Sequence, residues 1–495
     1  MTSQESGRTC PVHVSQNNEH QFSRRTALKM GALGLSAATM GILETLPGVE
    51  RLAHAAPANL PDIQFDISNF IAPAQTINGV QFRFGPVYTL FVTAKLTRTP
   101  TQKDQAALSN ALNTIESRFP FSPSGVFTFV SYGLPYFKRL ASSVVSSHMP
   151  RLLSDNTRFA LEEAVPSPTD VSPQNPGITK KTFNVPVTIE SNDILFTIRS
   201  DTLSNVQAVA NFLQNRGSTL GSQQVAAPAF NGLFQFTSSR LMFVQIGLPR
   251  KLADSNKLSF ASRVNPQSPM WMGFADQQVD GAGPAAITTF QGNASAKFTT
   301  AKSGDYFFDG SIQHLSHVIQ DLSLFYANDE PFIERCQYMF RSDPIPSLGN
   351  NDQFTDGGGP AALDNVFQGA GDAAANAQAI NTLHGEHRMG HLAALQRSSR
   401  AADKTPIHIR TDGPGFDTLD VPGGSSQPKL QFSIFVPTAD FFATMRTNQA
   451  SLDLVQKYGV VSDDNGLERF ITATRRQNFL VPPRSHRAFP LVELT

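Results

Sequence analysis

The sequence predicts an α+β fold made of two similar halves, and three observations support this prediction. Strand-like and helix-like segments follow one another as strand, helix, strand, then strand, helix, strand. A second round of comparable segments lies further along the chain. At 495 residues, the chain is also too long for one ordinary core. We therefore expect duplicated ferredoxin-like units of the dimeric α+β barrel type, with antiparallel sheets and helices packed on their faces.

The first half shows this order most clearly. Short apolar runs rich in β-branched and aromatic residues predict strands, and apolar residues at helical spacing predict helices between them. The predicted strands cover residues 87–96, 125–132, 187–198 and 234–248, and the predicted helices cover residues 101–118 and 204–214. Thr101 stands where an N-cap residue of the first helix is expected.

The second half is predicted to repeat the pattern around a long insertion. The predicted strands are 304–310, 430–436 and 477–481, and the predicted helices are 311–326 and 439–458. His314 and His317 fall on the first of these helices, where we expect ordinary surface histidines or contacts to a cofactor. Residues 342–381 are rich in Gly, Ala, Asp and Asn, a composition for which we expect an insertion that lines a site or is partly mobile.

The N-terminal segment has the order of a bacterial twin-arginine export signal. Arg24 and Arg25 precede an apolar run over residues 30–42, and the small-residue sequence 53–55 follows as a cleavage site. We therefore predict a signal peptide over 1–55, an N-terminal ferredoxin-like domain over 56–260 and a C-terminal one over 261–495. The expected location is periplasmic or extracellular, and the twin-arginine translocase is the expected partner during export.

The composition of the chain excludes several classes of function and of metal site. Lys plus Arg and Asp plus Glu both number 40, so no basic excess points to nucleic acid. Cys10 lies in the predicted signal, which leaves Cys336 alone in the exported chain. One thiol permits no internal disulfide and no sulfur-ligated zinc or iron–sulfur cluster. Packing or a ligand must therefore stabilise the exported protein.

An ordered series of segments resembles the dye-decolorising peroxidase family of exported heme proteins. The segment 272–276 resembles the family's distal Gly-Phe-x-Asp motif, and His408-Ile409-Arg410 resembles the His-x-Arg sequence that carries the proximal heme ligand. Other segments resemble the family's strands, helices and closing strand: 88–94, 127–134, 192–198, 430–435, 465–470 and 479–483. The resemblance runs in order over most of residues 85–490.

This resemblance implies a peroxidase that holds heme b, reduces hydrogen peroxide and oxidises small electron donors. His408 would be the iron ligand, and Asp276 would be the distal acid–base group. Phe274 and Phe432 would contact the cofactor, and Arg410 would belong to the catalytic group. A homodimer is also implied by the resemblance.

The sequence departs from the family pattern at two places. Gln277 follows Asp276 where the family usually has glycine, so Asp280 is an alternative distal carboxylate. Lys429 stands near the position of the family's distal arginine, and lysine offers only a point charge where arginine offers a fork. We expect slow peroxidase turnover unless another arginine replaces it.

Two other functions stay open at this point. One is a binding protein on the same fold that holds or delivers heme or iron with little peroxidase turnover. The other is a non-heme metal protein that uses His384, His387 and His391, which would lie on one face of a helix. The alternative to this metal site is a polar helix face beside a pocket.

Overall fold

The computed structural model describes two large ferredoxin-like units. The described residues are 60–73, 85–274, 285–292, 297–327, 406–450 and 466–495, with 75–77, 80–82, 335, 338, 339, 390, 391 and 452. The predicted signal, Asp276, Asp280, the insertion 342–381, His384 and His387 lie outside the described residues.

The first unit contains four long strands and its helices in the predicted order. Its strands are β1 (Tyr88–Leu96), β2 (Phe127–Gly133), β3 (Ile194–Ser200) and β4 (Phe234–Phe243). Its helices are α1 (Gln102–Arg118), α2 (Leu134–Phe137), α3 (Ser142–His148) and α4 (Leu203–Leu213), and α5 (Leu248–Ser255) follows β4.

Local sequence explains the clearest helix of this unit. Thr101 caps α1 in a capping box: its hydroxyl accepts from the Asp104 amide, and the Asp104 carboxylate accepts from the Thr101 amide at 2.8 Å. Leu108, Leu112 and Ile115 then recur at helical spacing and are buried. The packing of this apolar face against the sheet is what stabilises α1 beyond its intrinsic propensity.

Among the described residues, the second unit has the same order, and the helix after its first strand is shorter than α1. It contains β5 (Ser311–Gln320), α6 (Leu322–Phe325), β6 (Ile409–Arg410), β7 (Gly413–Asp417), β8 (Gln427–Val436), α7 (Asp440–Gln449) and β9 (Ile471–Val481). β6 and β7 both pair with β8 and together take the place of the unit's second strand.

The sheet order confirms the predicted duplicated ferredoxin-like architecture. The strands run β6-β8-β5-β9-β2-β3-β1-β4, and all these neighbours are antiparallel. Within each unit, the spatial order is second, third, first and fourth strand. The fourth strand of the second unit, β9, pairs with the second strand of the first unit, β2. The two units therefore share one continuous sheet.

The sheet curves so that its two ends approach each other. A Cβ atom at Gly415 on β7 would lie 3.0 Å from the Leu241 carbonyl oxygen on β4, so only glycine fits this close approach without displacing a neighbour. Trp271 donates from Nε1 to the Gly415 carbonyl at 2.9 Å across the same region. The inner faces of both units thus enclose a common core, where Gln313 accepts from Ser131 at 2.8 Å.

Two sequence predictions in the second unit were wrong. Residues 311–320, predicted as helix, form the strand β5, which is buried along its whole length. A strand covered on both faces lacks the alternation of polar and apolar residues that identifies a half-exposed strand. His314 and His317 are therefore fully buried in the sheet instead of lying on a helix surface. Residues 304–310, predicted as strand, form turns.

Short elements complete the described chain. The short strands are Gln75–Ile77, Val80–Phe82, Thr188–Ile189, Thr219–Leu220 and Gln223–Gln224, and the 3-10 helices are Ser68–Phe70, Ala261–Arg263, Ala285–Thr288, Glu468–Phe470, Arg484–His486 and Val492–Leu494. The predicted domain boundary at 260/261 falls in the connection between β4 and β5 and stays a prediction. None of the helices among the described residues is both long and apolar enough to cross a bilayer.

Candidate functional site

A cavity lies between the outer face of the second unit's sheet and helix α7; we call it the sheet–helix cavity. Phe432 on β8, Ala473 on β9 and Val318 on β5 contribute apolar side chains from the sheet. Phe442 on α7 covers them from the helix side. The volume of this cavity that is open to the centre of a water-sized sphere is about 60 Å³. That is space for roughly four or five water molecules.

Charged side chains form the rest of the wall. Lys180, Arg410, Arg446 and Arg476 contribute positive charge, while Asp170, Asp412 and Glu468 contribute negative charge. Carboxylate oxygens lie beside three of the four basic groups, and Lys180 instead donates from Nζ to the Glu468 carbonyl at 2.6 Å. The cavity therefore combines an apolar floor with a wall of largely compensated charges.

The strongest ion pair of the wall joins Arg476 and Asp170. The guanidinium donates from Nε at 2.6 Å and from Nη2 at 2.8 Å to the two carboxylate oxygens, and from Nη1 to Ser316 Oγ at 2.8 Å. Burial opposes ionisation of Asp170, but the Arg476 charge outweighs it, so the pKa of this carboxyl lies below its usual range. Both carboxylate oxygens of Asp170 and three N–H groups of Arg476 are thus directed at protein partners.

A second ion pair joins helix α7 to the 3-10 helix Glu468–Phe470. Arg446 donates from Nη2 to Glu468 Oε2 at 3.0 Å, and Thr169 Oγ1 donates to the same oxygen at 2.6 Å. Burial raises the pKa of Glu468, but the nearby charges of Arg446 and Lys180 lower it by more. The pKa of Glu468 therefore lies below its usual value. Glu468 Oε1 and Arg446 Nε are buried and have no hydrogen-bond partner in the protein.

Gln449 connects this ion pair to His391. Arg446 donates from Nη1 to Gln449 Oε1, which fixes the orientation of the amide group. The Gln449 Nε2 amide therefore faces His391 Nδ1, at 3.0 Å. An amide nitrogen can only donate, so the network assigns Nδ1 as the acceptor and places the imidazole hydrogen on Nε2. In this tautomer, neither nitrogen of His391 offers a lone pair to a metal in the cavity.

The sequence-predicted site residues do not meet in one place. Phe432 and Arg410 line the sheet–helix cavity, whereas Phe274 is packed in the main apolar core with Trp271. His408 is buried, 1% exposed, and is not among the residues that line the cavity. Asp276 and its alternative Asp280 lie outside the described residues.

Lys429 lies on the opposite face of the sheet from Phe432. The two residues are three positions apart on β8, and successive side chains on a strand point to opposite faces. Lys429 donates from Nζ to the Leu419 carbonyl at 2.7 Å and lies 3.7 Å from Asp417 Oδ1. Burial lowers the pKa of Lys429 to about 8. Its charge is directed into the enclosed core, away from the sheet–helix cavity.

His314 and His317, which the sequence places on a helix, are structural groups of β5. His314 bonds through Nδ1 to Asn478 Oδ1 at 2.7 Å and through Nε2 to Ser316 Oγ at 2.6 Å. Its ring stacks on Phe442, with centroids 3.5 Å apart. His317 bonds through Nδ1 to Gln431 Oε1 at 3.0 Å on the inner face of the sheet. Neither imidazole is available to a cofactor.

The sheet–helix cavity does not fit a heme. A tetrapyrrole is far larger than the cavity, and none of the histidines described above directs a nitrogen lone pair into it. The proposed His384, His387 and His391 metal site has only its third member among the described residues. No cluster of three or more His, Cys, Asp or Glu suited to a metal occurs within the described ranges.

Three functional candidates were missed in the sequence: Phe442, Arg446 and Gln449. They are spaced four and three residues apart on α7, so they lie on the helix face that meets the sheet. This spacing was visible within the helix predicted over 439–458. The partners of Arg446, Thr169 and Glu468, lie outside α7, so only the fold brings them together.

Comparison with known proteins assigns the chain to a family. A family of unknown function, DUF7405, matches residues 86–483, so the chain belongs to this family. No curated protein matches the chain. The match covers both ferredoxin-like units.

The chain is also similar to solved structures of the DyP type. A DyP-type protein from Shewanella oneidensis is 14% identical, with a TM-score of 0.47 over 81% of this chain and 94% of that one. The encapsulated DyP-type peroxidase from Mycobacterium smegmatis is 14% identical, with a TM-score of 0.45 over 82% and 96%. A dye-decolorizing protein from V. cholerae is 11% identical, with a TM-score of 0.41 over 81% and 96%. Similarity at this level does not assign an activity to this chain.

Proposed function

We propose that this protein binds a small molecule in the sheet–helix cavity and does not act as a heme peroxidase. The observation that carries the proposal is the cavity itself, which has an apolar floor that includes Phe432 and Ala473 and a wall of buried ion pairs. A concave, largely apolar pocket with a few fixed polar groups is the usual form of a small-molecule site.

The electrostatics of the cavity support binding over peroxide chemistry. Stabilising a peroxide anion requires a positive group with free hydrogen-bond donors. Arg476 directs three of its N–H groups at Asp170 and Ser316, and Lys429 faces the other side of the sheet. The ion-paired Arg446 already has the ionised Glu468 beside it. The size of the cavity favours a molecule of about four to six non-hydrogen atoms.

The peroxidase hypothesis is the rival, and hemin titration separates the two. The full exported chain and His408→Ala are titrated with hemin and followed by absorption in the Soret region. We expect no saturable one-to-one shift that depends on His408. Stoichiometric hemin binding lost in His408→Ala, together with peroxide-dependent dye oxidation lowered in Asp276→Asn, would establish the peroxidase and refute our proposal.

A direct binding test uses four small probes on the full exported chain. Propionamide, butanone, propionate and propylamine are of similar size and differ in charge and hydrogen bonding. We expect at least one to bind in saturation-transfer NMR experiments. Binding should be lost in Ala473→Leu, which fills the cavity, and retained in Ala106→Leu, on the exposed face of α1. If none of the probes binds, the proposal fails.

We also propose that the protein acts after export by the twin-arginine pathway. The sequence order of Arg24, Arg25, the apolar run and the small-residue cleavage site supports this location.

A further inference from the structure

The segment 60–71, which we call the strap, lies across the seam between the two units. The seam is the place where β2 of the first unit meets β9 of the second. Among the described residues, these two strands pair only at Gly133 with Phe479 and at Tyr132 with Leu480. The backbone alone therefore provides few hydrogen bonds between the two units at this seam.

The side chain of Gln64 fills the seam beyond these two pairs and is fully buried. The Val130 N–H donates to Gln64 Oε1 at 3.0 Å, and Gln64 Nε2 donates to the Val130 carbonyl at 3.0 Å. Nε2 also donates to the Pro482 carbonyl at 2.7 Å. Val130 lies on β2 and Pro482 directly follows β9, so one side-chain amide supplies the hydrogen bonds that the two strands do not make with each other.

Two aromatic side chains of the strap pack on different units. The ring of Phe65 stacks on Phe435 of β8 in the second unit, with centroids 4.3 Å apart. The ring of Phe70 meets the ring of Phe121, which precedes β2 in the first unit, edge-on at 4.8 Å. All four rings are buried. Because aromatic side chains bury large apolar areas, these contacts anchor the strap to both units.

The beginning of the strap is bonded to the chain that follows β9. The Arg484 N–H donates to the Asp62 carbonyl at 2.6 Å, and Arg484 Nε donates to the Pro61 carbonyl at 2.9 Å. The Asp62 carboxylate accepts from the Ser485 N–H at 2.7 Å and from Ser485 Oγ at 3.1 Å. This end of the strap is therefore held by the second unit, close to the place where Gln64 enters the seam.

The strap thus contacts both units over a short length of chain. Its neighbours in the first unit are Phe121 and Val130, and its neighbours in the second are Phe435, Pro482 and Ser485. We propose that the strap is a latch, which binds both units as one cooperative element and holds them together at the β2–β9 seam. This inference does not depend on the binding function proposed above.

Hydrogen exchange of the full exported chain tests whether the strap holds the seam. Gln64→Met keeps the length of the side chain and removes its hydrogen bonds. We expect the amides of Tyr132 and Leu480 to exchange at least about tenfold faster in this variant, and the amides of the β1–β3 pair to change less than about twofold. Mass spectrometry with fragmentation measures both. Asn69→Ala, at an exposed position of the strap, is the matched control and should leave all these rates unchanged. Unchanged exchange at Tyr132 and Leu480 in Gln64→Met would overturn the inference.

Two milder variants test whether the strap acts as one element. Asp62→Ala removes side-chain contacts to the second unit, and Phe70→Leu weakens the contact to Phe121 in the first. A latch released at one end is released at the other, so Asp62→Ala should speed exchange of the Val130 amide and Phe70→Leu that of the Ser485 amide, each at least about threefold. Effects confined to the mutated end would contradict a latch. If circular dichroism shows that Gln64→Met does not fold, these two variants decide alone.

Discussion

The imidazole of His314 is enclosed between the sheet and helix α7, with both nitrogens hydrogen-bonded and its ring stacked on Phe442. Burial lowers the pKa of His314 to about 3, and the neighbouring Arg476 charge lowers it further. The folded protein therefore keeps this group neutral across the physiological range. The unfolded chain, in which histidine titrates near 6.5, takes up a proton as the pH falls.

This difference in pKa between the folded and unfolded chain predicts that the free energy of unfolding decreases in acid. Because the unfolded state binds the extra proton, stability from His314 is complete above about pH 6.5 and decreases below it. Between pH 7 and pH 5, the loss should be about 2 kcal/mol. Urea unfolding at both pH values measures it. His314→Gln should show a correspondingly smaller pH dependence, whereas His148→Gln, near the end of α3, should not. Equal pH dependence in all three proteins would contradict the assignment.

The buried carboxylates also make the protein less stable as the pH falls, but over a more acidic range. The pKa of Asp170 and that of Glu190 are both held below the usual range, because Arg476 and Arg240 outweigh the effect of burial. A carboxyl with a lowered folded pKa contributes stability above its unfolded pKa and loses it as the pH falls towards the folded value. These residues thus add to acid sensitivity below about pH 4.

At the scale of elements, the contact between β7 and β4 depends on a missing side chain. Gly415 allows β7 to lie against the backbone of β4, and a Cβ there would lie 3.0 Å from the Leu241 carbonyl oxygen and 3.1 Å from Gln431 Nε2. These distances are shorter than ordinary carbon contacts, so one or both strands would have to shift.

Gly415→Ala should therefore destabilise the protein by about 1–3 kcal/mol. The midpoint of urea unfolding measures this effect. Gly177→Ala is the matched control, because a Cβ at Gly177 would meet nothing within 4 Å. A stability unchanged by Gly415→Ala would show that the two strands can separate without cost.

The elements also show which local patterns are informative. The first unit was predicted well, because α1 and α4 each bury one face and their strands carry clear turn signals. β5 was predicted as a helix, because it is covered on both faces. Its polar residues are buried, and most of them are hydrogen-bonded to residues elsewhere in the protein. Gln313 and His314, for example, find partners on opposite sides of the sheet. Such partners cannot be recognised from local sequence.

At the scale of the whole molecule, the export proposal makes a separate prediction. Replacing Arg24 and Arg25 together with lysine should leave the precursor in the cytoplasm, because the twin-arginine pathway reads this pair. Cell fractionation followed by immunoblotting measures the distribution. Lys29→Arg conserves charge outside the pair and should be exported normally. Normal export of the double variant would refute the signal assignment.

The sequence by itself determined the α+β class, the repeated order of elements and most of the first unit, because propensity, capping and periodicity act over a few neighbouring residues. Phe432 and Arg410, which the resemblance implied as site residues, line the cavity, and the roles predicted for them stay predictions. The resemblance to heme peroxidases predicted a heme site around His408, and this site stays a prediction.

Only the tertiary structure decided the chemistry of the cavity. Arg446 and Glu468 come from α7 and the 3-10 helix after it, while Asp170 comes from a loop of the first unit, and each finds its partner through packing. Lys429 and Phe432, close in sequence, are separated by the sheet. Burial, charge pairing and the face on which a side chain lies depend on contacts between distant residues, and these contacts exist only in the folded chain.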